Sequence, residues 1–185
     1  MIGLTPRIVA FLGTQEGITL EAYLDPRVWT FAMGIAATSG ANVLQYKNRP
    51  TTLDAALRAS VDWIESRFMP VVQKAFAGHE LTEAQLAAAL SFHWNTGAIL
   101  TAQWVKDIQE GKPATARADL IGNYQQGGIL TARRKREAAL FFDGAWPDDM
   151  RVPIWGVRKP SYLRSAKPQA VVDVIPALQQ IMGGK

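Results

Sequence analysis

Cysteine is absent from this chain, and its absence excludes a disulfide framework, a thiolate nucleophile and any zinc-thiolate site. That fits synthesis in a reducing cytoplasm and leaves the compartment of action open. Histidine is scarce: His79 and His93 are the two present, too few for a multi-histidine metal centre, and neither has a carboxylate at metal-ligand spacing within its own helix. Neither a metal nor a cofactor is expected. No stretch reaches the roughly 18 apolar residues that a membrane-spanning helix needs. The N-terminus also lacks the charged start and long apolar core of a secretory signal, so stable membrane insertion is not expected. There is no internal repeat. Glycine and proline, 15 and 10 in number, are scattered throughout, so neither a coiled coil nor a disordered tail dominates.

What is present is enough apolar material for a real core: 48% hydrophobic residues in a chain of 185, long enough for one domain built as two lobes. A net charge of +4 and a pI near 9.5 suggest an anionic partner, whether nucleic acid, a membrane surface or the bacterial cell wall. The bias is mild.

Local signals divide the chain. Thr5-Pro6 is an N-cap with proline at the first helical position, followed by apolar Ile8, Val9, Phe11 and Leu12 at helical spacing. Residues 18–50, rich in Thr, Gly, Asn and aromatics, show no sustained helical period and read as short strands and loops. Thr51-Thr52-Leu53-Asp54 reads as a capping box, and the helix it opens is kinked or ended by Pro70. A second box, Thr82-Glu83-Ala84-Gln85, opens an almost wholly apolar helix ending at Gly97. A helix apolar all round belongs inside a bundle. Helices are expected at 99–110, 114–124 and 130–142. From Pro147 the chain becomes proline-rich and basic and reads as an extended strap packed over the helical lobe. Strands early and helices later make the fold α+β.

The chemistry concentrates at the first boundary. Glu16 and Asp25 stand nine positions apart, where a helix gives way to turns and strands. Cleaving a glycosidic bond needs two acids in different protonation states. Glu16 falls at a helix end, whose unpaired carbonyls and dipole disfavour a second negative charge. Asp25 lies in an Asp-Pro turn, solvated and ionised. The same residues also suit a plain reading, a solvated helix terminus followed by a common turn.

Glu16-Gly17, Leu20, Ala22-Tyr23, Asp25-Pro26, Trp29-Thr30 and Gly34 resemble the N-terminal motif of the phage-type lysozymes, glycoside hydrolase family 24. A second block resembles the same family: Leu90-Ser91-Phe92, Asn95-Thr96-Gly97, Ile129 to Arg134, Glu137, Leu140-Phe141 and Gly144-Ala145-Trp146. The two ordered blocks together are more specific than either alone.

The resemblance implies a lysozyme-like fold, with a small β-containing N-terminal lobe and a larger helical lobe flanking a cleft. It sets a catalytic domain at 1–146 and a C-terminal extension at 147–185 packed on it. It further implies hydrolysis of the β-1,4 bond between N-acetylmuramic acid and N-acetylglucosamine. Glu16 is then the general acid, Asp25 the holder of the attacking water in an inverting arrangement, and Thr30 its assistant. Trp94 and Asn95 become sugar contacts, and Arg133 the arginine beneath the catalytic glutamate. Outside the resemblance, Arg133-Arg134-Lys135-Arg136 also reads as a solvated basic face for at least two of the four, and Trp94 and His93 as core. The expected partner is peptidoglycan, with no nucleic acid, and the protein acts as a monomer. It would be made in the host cytoplasm and reach the wall through a holin-type lesion. A lytic transglycosylase and a catalytically weak wall-binding protein of a phage particle are the alternatives.

The chain departs from the family's pattern in one place. The family has one more residue, typically glycine, between the aspartate and Trp-Thr, and then Gly-x-Gly-x-Thr where this chain has Ala32-Met33-Gly34-Ile35-Ala36. Because side chains in a strand alternate faces, the shortening leaves open whether Thr30 faces Asp25, with Thr38 as the substitute.

Overall fold

The computed structural model describes residues 2–184, which divide into two compact units. One comprises residues up to Ile8 and Glu65–Asp148, the other Val9–Ile64 and Asp149–Lys185.

The first helix, α1 (Pro6–Glu16), starts where the sequence predicts, with Thr5 Oγ1 accepting from the Ile8 amide at 3.2 Å. Ile8 to Leu12 are all buried, so the stripe predicted on one face is a fully enclosed turn and a half.

In the second unit, β1 (Ile18–Asp25), β2 (Val28–Ala32) and the short β3 (Ile35–Ala36) form an antiparallel meander. Two strands from far along the chain complete the sheet: β4 (Val152–Arg158) and β5 (Leu163–Val172). The order is β3-β2-β1-β4-β5, with β4 parallel to β1 and antiparallel to β5. The segment expected as a strap over the helical lobe is therefore largely sheet. Prolines suggested otherwise, but β5 is an edge strand, and its Pro168 sits opposite Trp155 at a register shift, where a missing N–H is tolerated. Against the sheet lies α2 (Leu53–Trp63), with Leu57 and Val61 buried. The C-terminal α8 (Ile175–Gly183) packs on α2 and buries Leu178 and Ile181.

The cap of α2 is Thr52 alone, accepting from the Ala55 amide at 3.2 Å, rather than a box begun at Thr51. Pro70 does not stop the helix. A π-helical stretch, Ile64–Phe68, precedes it, and α3 (Met69–Ala75) carries Pro70 in its first turn, where a missing N–H costs no bond.

The first unit is helical. Its centre is α4 (Glu83–Thr96), opened by the predicted reciprocal box of Thr82 and Gln85 and ended by Gly97 in a left-handed conformation. Around it stand α5 (Gln103–Gln109), α6 (Pro113–Gly122) and α7 (Thr131–Asp143). The core is aromatic: fully buried Trp104 meets Phe92 edge-on at 5.3 Å, Phe141 at 5.1 Å and Phe76 at 5.8 Å.

Candidate active site

Glu16 is the last residue of α1, half-buried. The helix stops there because Gly17 turns left-handed, φ +69°, with its amide bonded to the Gly13 carbonyl at 2.7 Å. A side chain at 17 would also collide with the Trp155 ring, whose Nε1 occupies the space where a Cβ would stand. No basic residue occupies the last turn of α1. Instead Arg164, from β5, donates from Nη1 to the Glu16 carbonyl at 3.2 Å, its guanidinium lying 4.6 Å over the Trp155 ring.

Asp25 ends β1, exposed to solvent, and pairs with Val28 across the two-residue turn Pro26-Arg27. The period of two along a strand puts Tyr23 and Asp25 on one face, with Thr30 and Val28 as their cross-strand partners. The buried Tyr23 phenol lies within electrostatic reach of the Asp25 carboxylate. Burial first, then the Asp25 charge, pushes this phenol from 10.0 up to about 12, with Arg164 pulling it down and Glu16 adding to the rise. Tyr23 thus senses both acids and the arginine.

This has a measurable consequence. Below pH 10 the phenol is neutral in folded and unfolded chains alike. Between 10 and about 12 the unfolded chain loses the proton while the folded chain keeps it, so stability falls as pH rises through that window. Chemical denaturation at stepped alkaline pH is expected to show this decline in wild type, and a shallower one in Tyr23→Phe.

Thr30 is buried opposite Tyr23, and its hydroxyl donates to the Val28 carbonyl at 3.2 Å. It shares the face of Asp25 but stands two cross-strand pairs further from the turn. Thr38 sits exposed in a single 3-10 turn, Ala37–Ser39. Where the family pattern has its first glycine, Ala32 is held at φ +53°, a conformation costing a residue with a Cβ about 1–2 kcal/mol.

Trp94, Asn95 and Arg133 belong to the helical unit. Trp94 is half-exposed and stacks on Phe68 at 4.4 Å. His93 is buried with its edge near the same ring, and burial lowers its imidazole below the ordinary range, as suits a core histidine. Asn95 Oδ1 accepts from Arg134 Nη2 at 2.8 Å. Arg133 is buried and donates to Glu137 at 3.1 Å and to the Ser91 carbonyl at 2.9 Å. Arg134 is wholly buried against the same carboxylate, 3.1 Å away. Lys135 and Arg136 are exposed, so the basic run is half solvated face and half core. Among the described residues no three His, Asp or Glu side chains gather in a metal-binding group, and no helix is long and apolar enough to cross a membrane.

Sequence reading missed the parts of this arrangement that arise across strands. Tyr23 was visible two positions before Asp25. Trp155 and Arg164 were visible as an aromatic and a base in a proline-rich tail, but nothing local named their partners.

A helix running straight into a mixed sheet, with a carboxylate at the junction and another at the first hairpin, together with a separate helical unit built on one apolar helix, makes a lysozyme-like α+β fold. A point mutant of the P22 phage lysozyme has the same fold, with a TM-score of 0.63 at 21% identity, over 76% of this chain and 99% of that one. An endolysin from the Escherichia coli O157:H7 phage FAHEc1 is similar too, with a TM-score of 0.56 at 19% identity, over 80% of this chain and 98% of that one. No curated protein matches the chain. The chain belongs to the phage lysozyme family, whose model matches residues 13–137. Its function is accordingly of the lysozyme type, directed at peptidoglycan in the cell wall. Glu16, Asp25, Thr30, Trp94, Asn95 and Arg133 all lie inside the matched range; β4, β5 and α8 lie beyond it.

Proposed function

We propose that the protein is a muramidase that hydrolyses the β-1,4 bond between N-acetylmuramic acid and N-acetylglucosamine in host cell lysis. Glu16 protonates the leaving glycosidic oxygen. Asp25 activates water on the opposite face of the sugar, in an inverting reaction that needs roughly 6.5–9.5 Å between carboxyl groups to admit that water. The observation that carries this reading is the pairing of environments: Glu16 half-buried at a helix end, Asp25 exposed at the first hairpin on the strand face that also carries Tyr23. In the helical unit Trp94 offers a ring face to a sugar, Asn95 an amide to an acetamido group, and Arg133 orders the buried cluster below. Release to the wall through a holin-type membrane lesion belongs to the same proposal.

The position of Thr30 favours a second reading, a weak enzyme that mainly binds the wall, because its hydroxyl is engaged by the Val28 carbonyl. One experiment separates the possibilities. Purified sacculi are digested and the released fragments analysed by mass spectrometry, with the new anomeric centre followed by NMR. Hydrolysis gives reducing N-acetylmuramic ends that are initially of inverted configuration. Anhydro-muramic ends would instead identify a lytic transglycosylase, and sacculus binding without release would identify the wall-binding protein.

A further inference from the structure

The β4–β5 hairpin lies beyond the range matched by the family, yet it touches the chain just after Glu16 and just before Asp25. Beside the start of β1, Ile154 pairs with Ile18 and Trp155 with Thr19, and the Trp155 ring fills the space over Gly17. At the other end of β1, the Leu24 amide donates to the Tyr162 carbonyl at 2.8 Å, and the Tyr162 ring meets Trp29 edge-on at 5.1 Å. Tyr162 is held at φ +57°, strained for an aromatic residue; its hydroxyl donates to Asn48 at 2.8 Å, and Lys159 next to it pairs with Glu21. Such strain persists only where the surroundings over-determine the conformation.

Between these two anchors stands Arg164. A helix of this length has unpaired carbonyls and partial negative charge at its end, which a nearby cation relieves. The last turn of α1 supplies no such cation, and Arg164 supplies it from 148 positions away. Its planar guanidinium stacks on Trp155, so its direction is fixed as well as its charge.

We infer that Arg164 is a positioning residue for hydrolysis: held flat on Trp155 and bonded to the Glu16 carbonyl, it fixes the helix end from which the catalytic carboxyl projects. This rests on the reading of Glu16 as the general acid. Arg164 acts through Glu16 and touches no reacting atom, so its removal slows the chemical step rather than weakening substrate binding. Misplacing a catalytic group by about 1 Å can cost up to about 100-fold in rate.

The test is steady-state kinetics of the full chain on solubilised glycan strands, with thermal unfolding alongside. Arg164→Gln is expected to lower kcat by about 10- to 100-fold while KM stays within about twofold and the melting temperature holds. Arg164→Lys, which returns a cation to the same carbonyl, is expected to recover part of the loss. Lys167→Gln, which removes an exposed charge from the same hairpin, is expected to match wild type. Wild-type kcat in Arg164→Gln overturns the proposal. So does an equal loss in Lys167→Gln, which would point to bulk attraction of the polymer, a loss that Arg164→Lys leaves uncorrected, or a loss that follows a fall in melting temperature. An inactive wild type would remove the muramidase reading itself, and the role of Arg164 with it.

Discussion

Replacing Glu16 by glutamine is expected to slow lysis of chloroform-treated Gram-negative cells by about 100- to 10,000-fold, the usual contribution of a general acid. Glutamine keeps the shape of the side chain but has no proton to give a departing sugar oxygen. The backbone carbonyl that receives Arg164 is unchanged. The loss should therefore appear in turbidity clearing and not in the thermal midpoint. Clearing at the wild-type rate by Glu16→Gln would end its assignment as the acid.

The second large effect is on stability. Arg134→Met is expected to destabilise the protein by about 3–5 kcal/mol, as breaking a buried ion pair from one side does. For a chain of this size that corresponds to a fall of about 6–20 °C in melting temperature. Arg134 and Glu137 are both wholly inaccessible to solvent. Around the carboxylate stand Arg134 at 3.1 Å, Arg133 at 3.1 Å and the Ser91 hydroxyl, which donates at 2.6 Å. The methionine fills much of the arginine's volume over Phe92, where the guanidinium now lies at 5.2 Å, but it offers no charge. Burial already pushes the Glu137 carboxyl up, against the pull of Arg134 and then Arg133. Without Arg134 it rises further. A group with a raised folded pKa gives stability that is present in acid and lost as pH rises through that value. The loss caused by Arg134→Met should thus be smaller near pH 5 than near pH 8, which denaturation of both proteins at the two pH values would check.

The sequence was most legible where physics is local. Thr5-Pro6 and Thr82 with Gln85 announced their helices because a cap is completed within one turn. The α+β class followed from signals of the same range, and so did the places of Glu16 at a helix end and of Asp25 at a turn. The basic run was legible only in half, since i, i+3 and i, i+4 spacing brings Arg134 and Arg133 to Glu137, but burial of that face depends on Ser91 in a different helix. The β4–β5 hairpin was not legible as sheet. Pro153 and Pro168 count against strands locally, and the strand that draws the hairpin into the sheet, β1, is far away in sequence. Thr30 stood between: strand alternation stated the question, and the register of β1 with β2 answers where its hydroxyl goes.

That distance has a consequence for how the molecule is made. Glu16 and Arg164 are separated by 148 positions, which a ribosome adding about 5–20 residues per second crosses in about 7–30 s. For most of that interval, until β4 is made, one edge of β1 has no strand beside it, an open template for any other extended chain. The helical unit draws most of its residues from one continuous stretch, Glu65–Asp148, and can be complete before β4 emerges. The strand bearing Asp25 and the helix end bearing Glu16 thus gain their β4–β5 neighbours only after the residues of the helical unit have been made.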